Sequence, residues 1–348
     1  MAGLKGITLL LFGCFYSQLL IVVHAKVPSI IVFGDSSVDP GNNNHMVTIV
    51  KSNFQPYGCD FYDSRPTGRF SNGRIATDFI SEALGIRSIV PAYLDPHYNI
   101  VDFAKGVSFA SAGTGYDNLT SAIMSVIPLW KELEYFKEYQ NKMRIHFGAA
   151  TATKLLTEAL YLISLGTNDF LENYYALPLR PSMYSVEEYQ NFLLVKARNF
   201  ITDLYNLGAR KISIAGLPPM GCLPLQRTEN DLICIHKYNL VAREFNVKLQ
   251  QLVRYLNQEL GGIQLVYSDI YNILLDIIKN PHSFGFEVGE RACCATGRYE
   301  MSYLCNKFNP FTCETANKYV FWDSIHPSEK TNFIVAEHAI KNTLAGFL

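Results

Sequence analysis

A serine hydroxyl, an imidazole and a carboxylate are the three groups that nucleophilic acyl transfer needs, and this chain offers one pairing of them across its length. Ser36 closes the stretch Ile30-Ile-Val-Phe-Gly-Asp-Ser36, and Asp323-Ser-Ile-His326-Pro327 sets an acid and an imidazole three residues apart near the other end. A serine hydroxyl is a poor nucleophile at neutral pH, so a base must take its proton as it attacks; His326 is the candidate. Asp323 would then fix the imidazole tautomer and stabilise the imidazolium. Alone, Gly-Asp-Ser reads as a strand followed by an ordinary Ser/Asp helix cap. The acid and imidazole at the far end set that reading aside.

Such groups must be brought together by the fold. The β-branched run before Gly34 predicts a buried strand, Ser29–Phe33, and the polar cluster Asp35–Asn44 places Ser36 at the strand's carboxyl edge, where open α/β sheets keep their ligand crevice. Further strands are predicted at Val107–Ala110, Leu160–Leu165, Lys211–Ala215 and Ile263–Tyr267. Helical periodicity falls near Arg74–Leu84, Ile123–His146, Val186–Leu207, His236–Leu260, Tyr271–Lys279 and Ser328–Thr343. This alternation predicts an α/β fold with a doubly wound parallel sheet and right-handed crossovers. No repeat or linker divides the chain, so one domain is expected over residues 26–348.

The loops after these strands hold the other candidates. Phe109-Ala-Ser-Ala-Gly113-Thr-Gly115 reads either as a tight turn with left-handed glycines or as a bare backbone N–H aimed at an oxyanion. In Leu165-Gly-Thr-Asn168-Asp169, Asn168 is either a helix cap or a side-chain N–H donor to the same developing charge, and Asp169 a cap or an orienting residue. The stiff segment Leu217-Pro-Pro-Met-Gly-Cys222 is expected to form one wall of the cleft without doing chemistry. Arg69 and Arg74, in a dense turn segment, are expected to tie loops together through carbonyls rather than bind a phosphate or carboxylate ligand. His45, His97, His146 and His282 have no partner at motif spacing, and His236 reads as a solvated helix residue.

The segment Met1–Ala25 has a positive start at Lys5, an apolar stretch Ile7–Val23 and the small-residue site Val23-His-Ala25, the pattern of a cleaved secretory signal peptide. Its removal takes away one Lys and no acid, so the formal net charge falls from −1 to −2. That balance leaves no footprint for nucleic acid or anionic membrane, and no later segment is apolar enough to span a bilayer. Of eight cysteines, Cys14 goes with the leader. In a secreted chain the rest read as disulfides: Cys222 with Cys234, and Cys293 and Cys294 with Cys305 and Cys313 in either order. Cys59 is left as a buried free thiol. The spacings fit no zinc site, and no metal or cofactor is expected. Asn118-Leu-Thr120 is the one glycosylation sequon, in an expected loop.

Five motifs in this order resemble the plant-type secreted GDSL esterases and lipases of the SGNH hydrolase superfamily. They are Phe33-Gly-Asp-Ser36-Ser-Val-Asp39-Pro-Gly41-Asn-Asn-Asn44, Pro66-Thr-Gly-Arg-Phe-Ser-Asn-Gly73, Phe109-Ala-Ser-Ala-Gly113, Gly166-Thr-Asn168-Asp169 and Asp323-Ser-Ile-His326-Pro327, with Leu217-Pro-Pro-Met-Gly-Cys222 as a further phrase. The resemblance implies a three-layer α/β/α sandwich of flavodoxin-like type, with a mainly parallel five-stranded sheet in the order 2-1-3-4-5. It implies Ser36 as nucleophile, His326 as base and Asp323 as its orienting acid. Oxyanion donors would be the N–H groups of Ser36 and Gly113 and the side chain of Asn168. The implied activity is hydrolysis of carboxylic esters of lipids or acylated polysaccharides by a secreted monomer, outside the cell or in the wall. An acyltransferase of the cutin-synthase kind would use the same residues, and a non-catalytic extracellular binding protein is the remaining alternative. The chain departs from the pattern in the short segment between Gln226 and Cys234 and in Cys59, where an apolar residue is expected.

Overall fold

A computed structural model describes residues 27–347. The expected leader, Met1–Ala25, lies outside the described residues. Five strands form one parallel sheet: β1 (Ile30–Gly34), β2 (Gly106–Ser108), β3 (Leu160–Ser164), β4 (Lys211–Ala215) and β5 (Gln264–Ser268), in the order β2-β1-β3-β4-β5. β1 is central and buried along its whole length, as an unbroken apolar run in a parallel sheet should be. Alternate residues feed opposite layers. Ile31, Phe33, Tyr161 and Ile163 join one core and Ile30, Val32, Leu160 and Leu162 the other.

The first layer is built from α3 (Leu129–Phe147), α4 (Ala149–Glu158), α5 (Val186–Asn206) and α6 (His236–Glu259), and the second from α1 (Ala76–Ala83) and α8 (Glu329–Asn342), with α2 (Asn118–Met124) at the periphery and α7 (Ile270–Lys279) packed against α8 and burying Tyr271, Leu274, Ile277 and Ile278. Phe33 sits at the centre of the larger core, stacked on Phe109 and edge-on to Phe136 and Phe200. This is the three-layer sandwich and strand order that the resemblance implies.

One expected helix is corrected, and α4 and a small strand pair lie outside the expected set. The single helix near Ile123–His146 is two, because Ser125 turns left-handed at φ 53° and Pro128 precedes the second helix. Gly148, at φ 81°, then separates α3 from α4, a helix not among those expected. A small parallel pair, β6 (Val288–Ala292) with β7 (Tyr319–Phe321), stands apart from the main sheet and leads directly into the Asp323–His326 turn.

Candidate active site

The turn after β1 is fixed by backbone geometry. Gly34 has φ 141°, and a Cβ there would strike the carbonyl oxygen of Ser164 on β3. The close approach lets Asp35 N–H donate to that oxygen at 3.1 Å. Gly34 N–H donates to the buried Glu132 carboxyl at 3.0 Å, and burial holds that acid well above its ordinary range. Asp35 accepts from the N–H and the hydroxyl of Ser37, at 3.0 and 2.7 Å. Asp39, fully buried and pushed up to about 6 by desolvation, accepts N–H groups from Gly41, Asn42 and Ala112. The amides of Asn42 and Asn43 donate to the carbonyls of Ser108, Ala110 and Ala112. The asparagine run therefore laces the Ser36 loop to the loop after β2, leaving Ser36 half-buried at the sheet edge.

The opposing turn is held by its own acid. Asp323, with no exposure, accepts the backbone N–H of Ile325 at 3.0 Å and of His326 at 2.7 Å. Both carboxylate oxygens lie 2.8 Å from His326 Nδ1, and His326 Nε2 lies 2.8 Å from Ser36 Oγ. An ionised carboxylate can only accept, so Nδ1 carries the proton and Nε2 is left to accept from the serine hydroxyl. The Phe70 ring packs on the imidazole at 4.8 Å between centroids. Ser328 caps α8 through Thr331 N–H, and Trp322 N–H donates to His326 O at 2.8 Å, which fixes where the turn ends.

A cavity of about 180 Å³ brings Ser36, His326, Gly113 and Asn168 together. Asn168 Nδ2 donates to Thr114 O at 2.9 Å, and an amide has a second N–H to offer. Gly113, at φ 90°, lines the cavity, whereas Gly115 is pressed against the Asp169 carboxylate, which a Cβ would strike. Asp169 is the orienting residue of the two alternatives: it accepts from Tyr116 N, Asp117 N and Thr120 Oγ1 and so clamps the end of the glycine loop. Burial pushes it up to about 7. Glu172, on a π-helical turn at Asp169–Tyr174, also faces the cavity; burial raises its carboxyl and the proximity of His326 lowers it. Ile49, Val50 and Met124 line part of the cavity, and Met301, Tyr303 and Leu304 another part. No motif pointed to those lining residues, nor to Tyr57, whose hydroxyl donates to Asp323 Oδ2 at 2.7 Å.

Leu217-Pro-Pro-Met-Gly-Cys222 does not line the cavity: Leu217, Met220 and Cys222 are core residues, and the adjoining Leu225 N–H donates to Ser324 O, propping the Asp323 turn from behind. Arg69 is buried and forks onto Asp78 at 2.7 and 2.8 Å while donating to the carbonyls of Pro40 and Val90. Arg74 pairs with Glu82 and Glu329. Both tie loops. Cys222 joins Cys234, and the open pairings are Cys293–Cys313 and Cys294–Cys305. Cys59 is free but half-buried rather than buried; desolvation and Asp60 push its thiol up to about 12, which disfavours the nucleophilic thiolate. Asn118 is exposed, as a sequon needs, but opens α2 rather than a loop.

A five-stranded parallel sheet with this strand order, carrying a hydroxyl and an imidazole in contact at its carboxyl edge, defines an α/β hydrolase of SGNH type. The profile of the GDSL-like lipase/acylhydrolase family matches residues 30–339. Three proteins of Arabidopsis thaliana, each named a GDSL esterase/lipase, are 60%, 56% and 54% identical, covering 95%, 100% and 94% of this chain and 96%, 100% and 94% of their own lengths. The chain belongs to the GDSL lipase/acylhydrolase family, and it is a carboxylic ester hydrolase.

Proposed function

We propose that this protein is a secreted serine esterase that cleaves carboxylic esters through an acyl-enzyme. Residues 1–25 are a leader removed on export, and the chain from residue 26 is one catalytic domain. His326 Nε2 takes the Ser36 proton as Oγ attacks the acyl carbon; the carbonyl π electrons move onto oxygen. The oxyanion is met by the N–H groups of Ser36 and Gly113 and by Asn168 Nδ2. Collapse expels the alcohol, which takes the proton from His326, and leaves the acyl group on Ser36. Water then repeats the cycle with His326 again as base. Asp323 keeps Nδ1 protonated throughout and stabilises the imidazolium.

The observation that supports this most is the unbroken chain of contacts from Ser36 Oγ through His326 to Asp323, each 2.8 Å, opening on one cavity. The apolar lining, from Ile49 to Leu304, favours an acyl chain of a lipid-like ester over a charged substrate. The test is labelling with a fluorophosphonate together with an ester panel. The native protein should be labelled and a Ser36→Ala variant should not, while His326→Ala should lower turnover by about 10³ or more with the fold retained. A His326→Ala protein with native turnover would overturn the mechanism. Including a polyol acceptor in the panel separates hydrolysis from acyl transfer by the products formed.

A further inference from the structure

Tyr57 is completely buried, yet its hydroxyl is used on both sides. It donates to Asp323 Oδ2 at 2.7 Å and accepts the N–H of Ser302 at 2.9 Å. The ring is wedged among Phe54, Phe70 and Trp322, with centroids 5.8, 5.7 and 6.2 Å away, so the oxygen has little freedom to move. Ser302 is itself a junction. It sits at φ 48°, a left-handed conformation uncommon for serine, inside the loop that Cys294–Cys305 closes. Its Oγ lies 2.8 Å from Ile49 O and 2.9 Å from Lys51 O, donating its one proton between them, and it accepts Lys51 N–H at 3.1 Å.

Ser302 adjoins Met301 and Tyr303, while Ile49 adjoins Val50; these segments line the substrate cavity. The two wall segments are thus hydrogen-bonded to each other at Ser302, and Ser302 is bonded to Asp323 through one phenol. We propose that Tyr57 is a positioning residue that couples the cavity walls to the Asp323–His326 pair, so that an acyl group seated between the walls braces the acid against the imidazole. The inference rests on the acyl-enzyme reading above. Its physical basis is that Asp323 is a buried carboxylate: among the described residues, apart from His326 Nδ1, Oδ2 has only the phenol as donor, and losing a donor to a buried carboxylate costs more than losing an ordinary hydrogen bond. A tyrosine needed only for packing would not require its oxygen, because the ring contacts are all apolar.

The experiment is a double-mutant cycle of Tyr57→Phe with Ser302→Ala on the full chain, with active sites counted by fluorophosphonate titration so that misfolded protein does not enter the rate. Tyr57→Phe keeps the ring and should lower kcat per titrated site about tenfold with KM changed less than about twofold, the size expected for one hydrogen bond to a charged group. Ser302→Ala should give a smaller fall in kcat, and the double variant should match Tyr57→Phe alone, because the second change acts through a bond already lost. Native kcat in Tyr57→Phe, or losses that multiply in the double variant, would overturn the coupling. His326→Ala separates the two claims: a dead His326→Ala beside a native Tyr57→Phe defeats this inference alone, whereas native rates in both defeat the acyl-enzyme reading.

Discussion

Ser36 and His326 come within 2.8 Å of each other from turns of different construction. The Ser36 turn grows from the central strand and is held mostly by backbone groups and short polar side chains of neighbouring sheet loops: Ser164 O, Ala112 N and the carbonyls of Ser108 and Ala110. The His326 turn belongs to no strand of the main sheet. It hangs between the small β6–β7 pair and α8, and is held by one buried carboxylate, a tyrosine 266 residues away in sequence and a segment closed by two disulfides. The nucleophile is thus carried by the buried central strand, while the base is positioned by side-chain and covalent devices outside the main sheet. Damage on the two sides should therefore look different: loss of stability on one, loss of turnover on the other.

The largest expected effect breaks the second side. Asp323→Asn puts an amide N–H₂ against His326 Nδ1 and favours the wrong tautomer, so turnover should fall by about 10⁴ while the far-UV spectrum of the folded protein stays native. Equal losses of folded protein and of activity would show that the His326 turn is not separable from the sheet. The next effect breaks the first side. Arg69 and Asp78 form a buried fork, 3% and 0% exposed, that gathers Pro40, Val90 and the start of α1 behind Ser36. Arg69→Ala strands the Asp78 charge and should destabilise by about 3–5 kcal/mol in urea unfolding. Activity per folded molecule should remain within a few-fold of native, since Arg69 does not line the cavity.

The same contrast governs what could be read from the sequence. Lys211–Ala215 has the bounds expected of it, and the ends of the remaining sheet strands shift by two residues at most, because an apolar run in a parallel sheet carries its own signal. Ser36, Gly113 and Asn168 are legible as motif residues after those strands and Asp323 and His326 as a motif with no main-sheet strand directly before it, and all five lie on one cavity or on its imidazole. The support for His326 was not. Tyr57 is one of 21 tyrosines, in a segment without periodicity, and nothing in its neighbours announces a partner in the last thirty residues. β6 reads Val-Gly-Glu-Arg-Ala, with two charged residues exposed, so it lacks the apolar run that marks a buried strand. Cys293 and Cys294 are adjacent, so spacing leaves two pairings equally open until their directions are known. The stiffness of Leu217–Cys222 was evident, but stiffness does not say which side of a loop faces the cleft.

The gentlest effect at any one pH step concerns the first side again, the clamp at Asp169 between the loops after β2 and β3. Its carboxyl is fully buried and pushed up to about 7 by desolvation, against an ordinary value of 3.8. Between about pH 4 and pH 7 the folded protein therefore keeps a proton on Asp169 that the unfolded chain has released. Folding takes up that proton, so stability must fall as pH rises through this window, by at most about 1.4 kcal/mol per pH unit, and then level off. Below pH 4 both states are protonated and the contribution is constant. Asp169→Asn removes the titration while keeping an acceptor for Tyr116 N–H, so its unfolding midpoint should show a pH dependence that differs from native by this slope alone. The native advantage over the variant should be largest near pH 4 and smallest above pH 7, measured as urea midpoints across the range. The opposite slope would mean that the three donors from Tyr116, Asp117 and Thr120 outweigh burial and hold the carboxylate charged. In that case the glycine loop is pinned by an anion. The oxyanion donors Gly113 and Asn168, which flank this clamp in sequence, would then work beside a fixed negative charge.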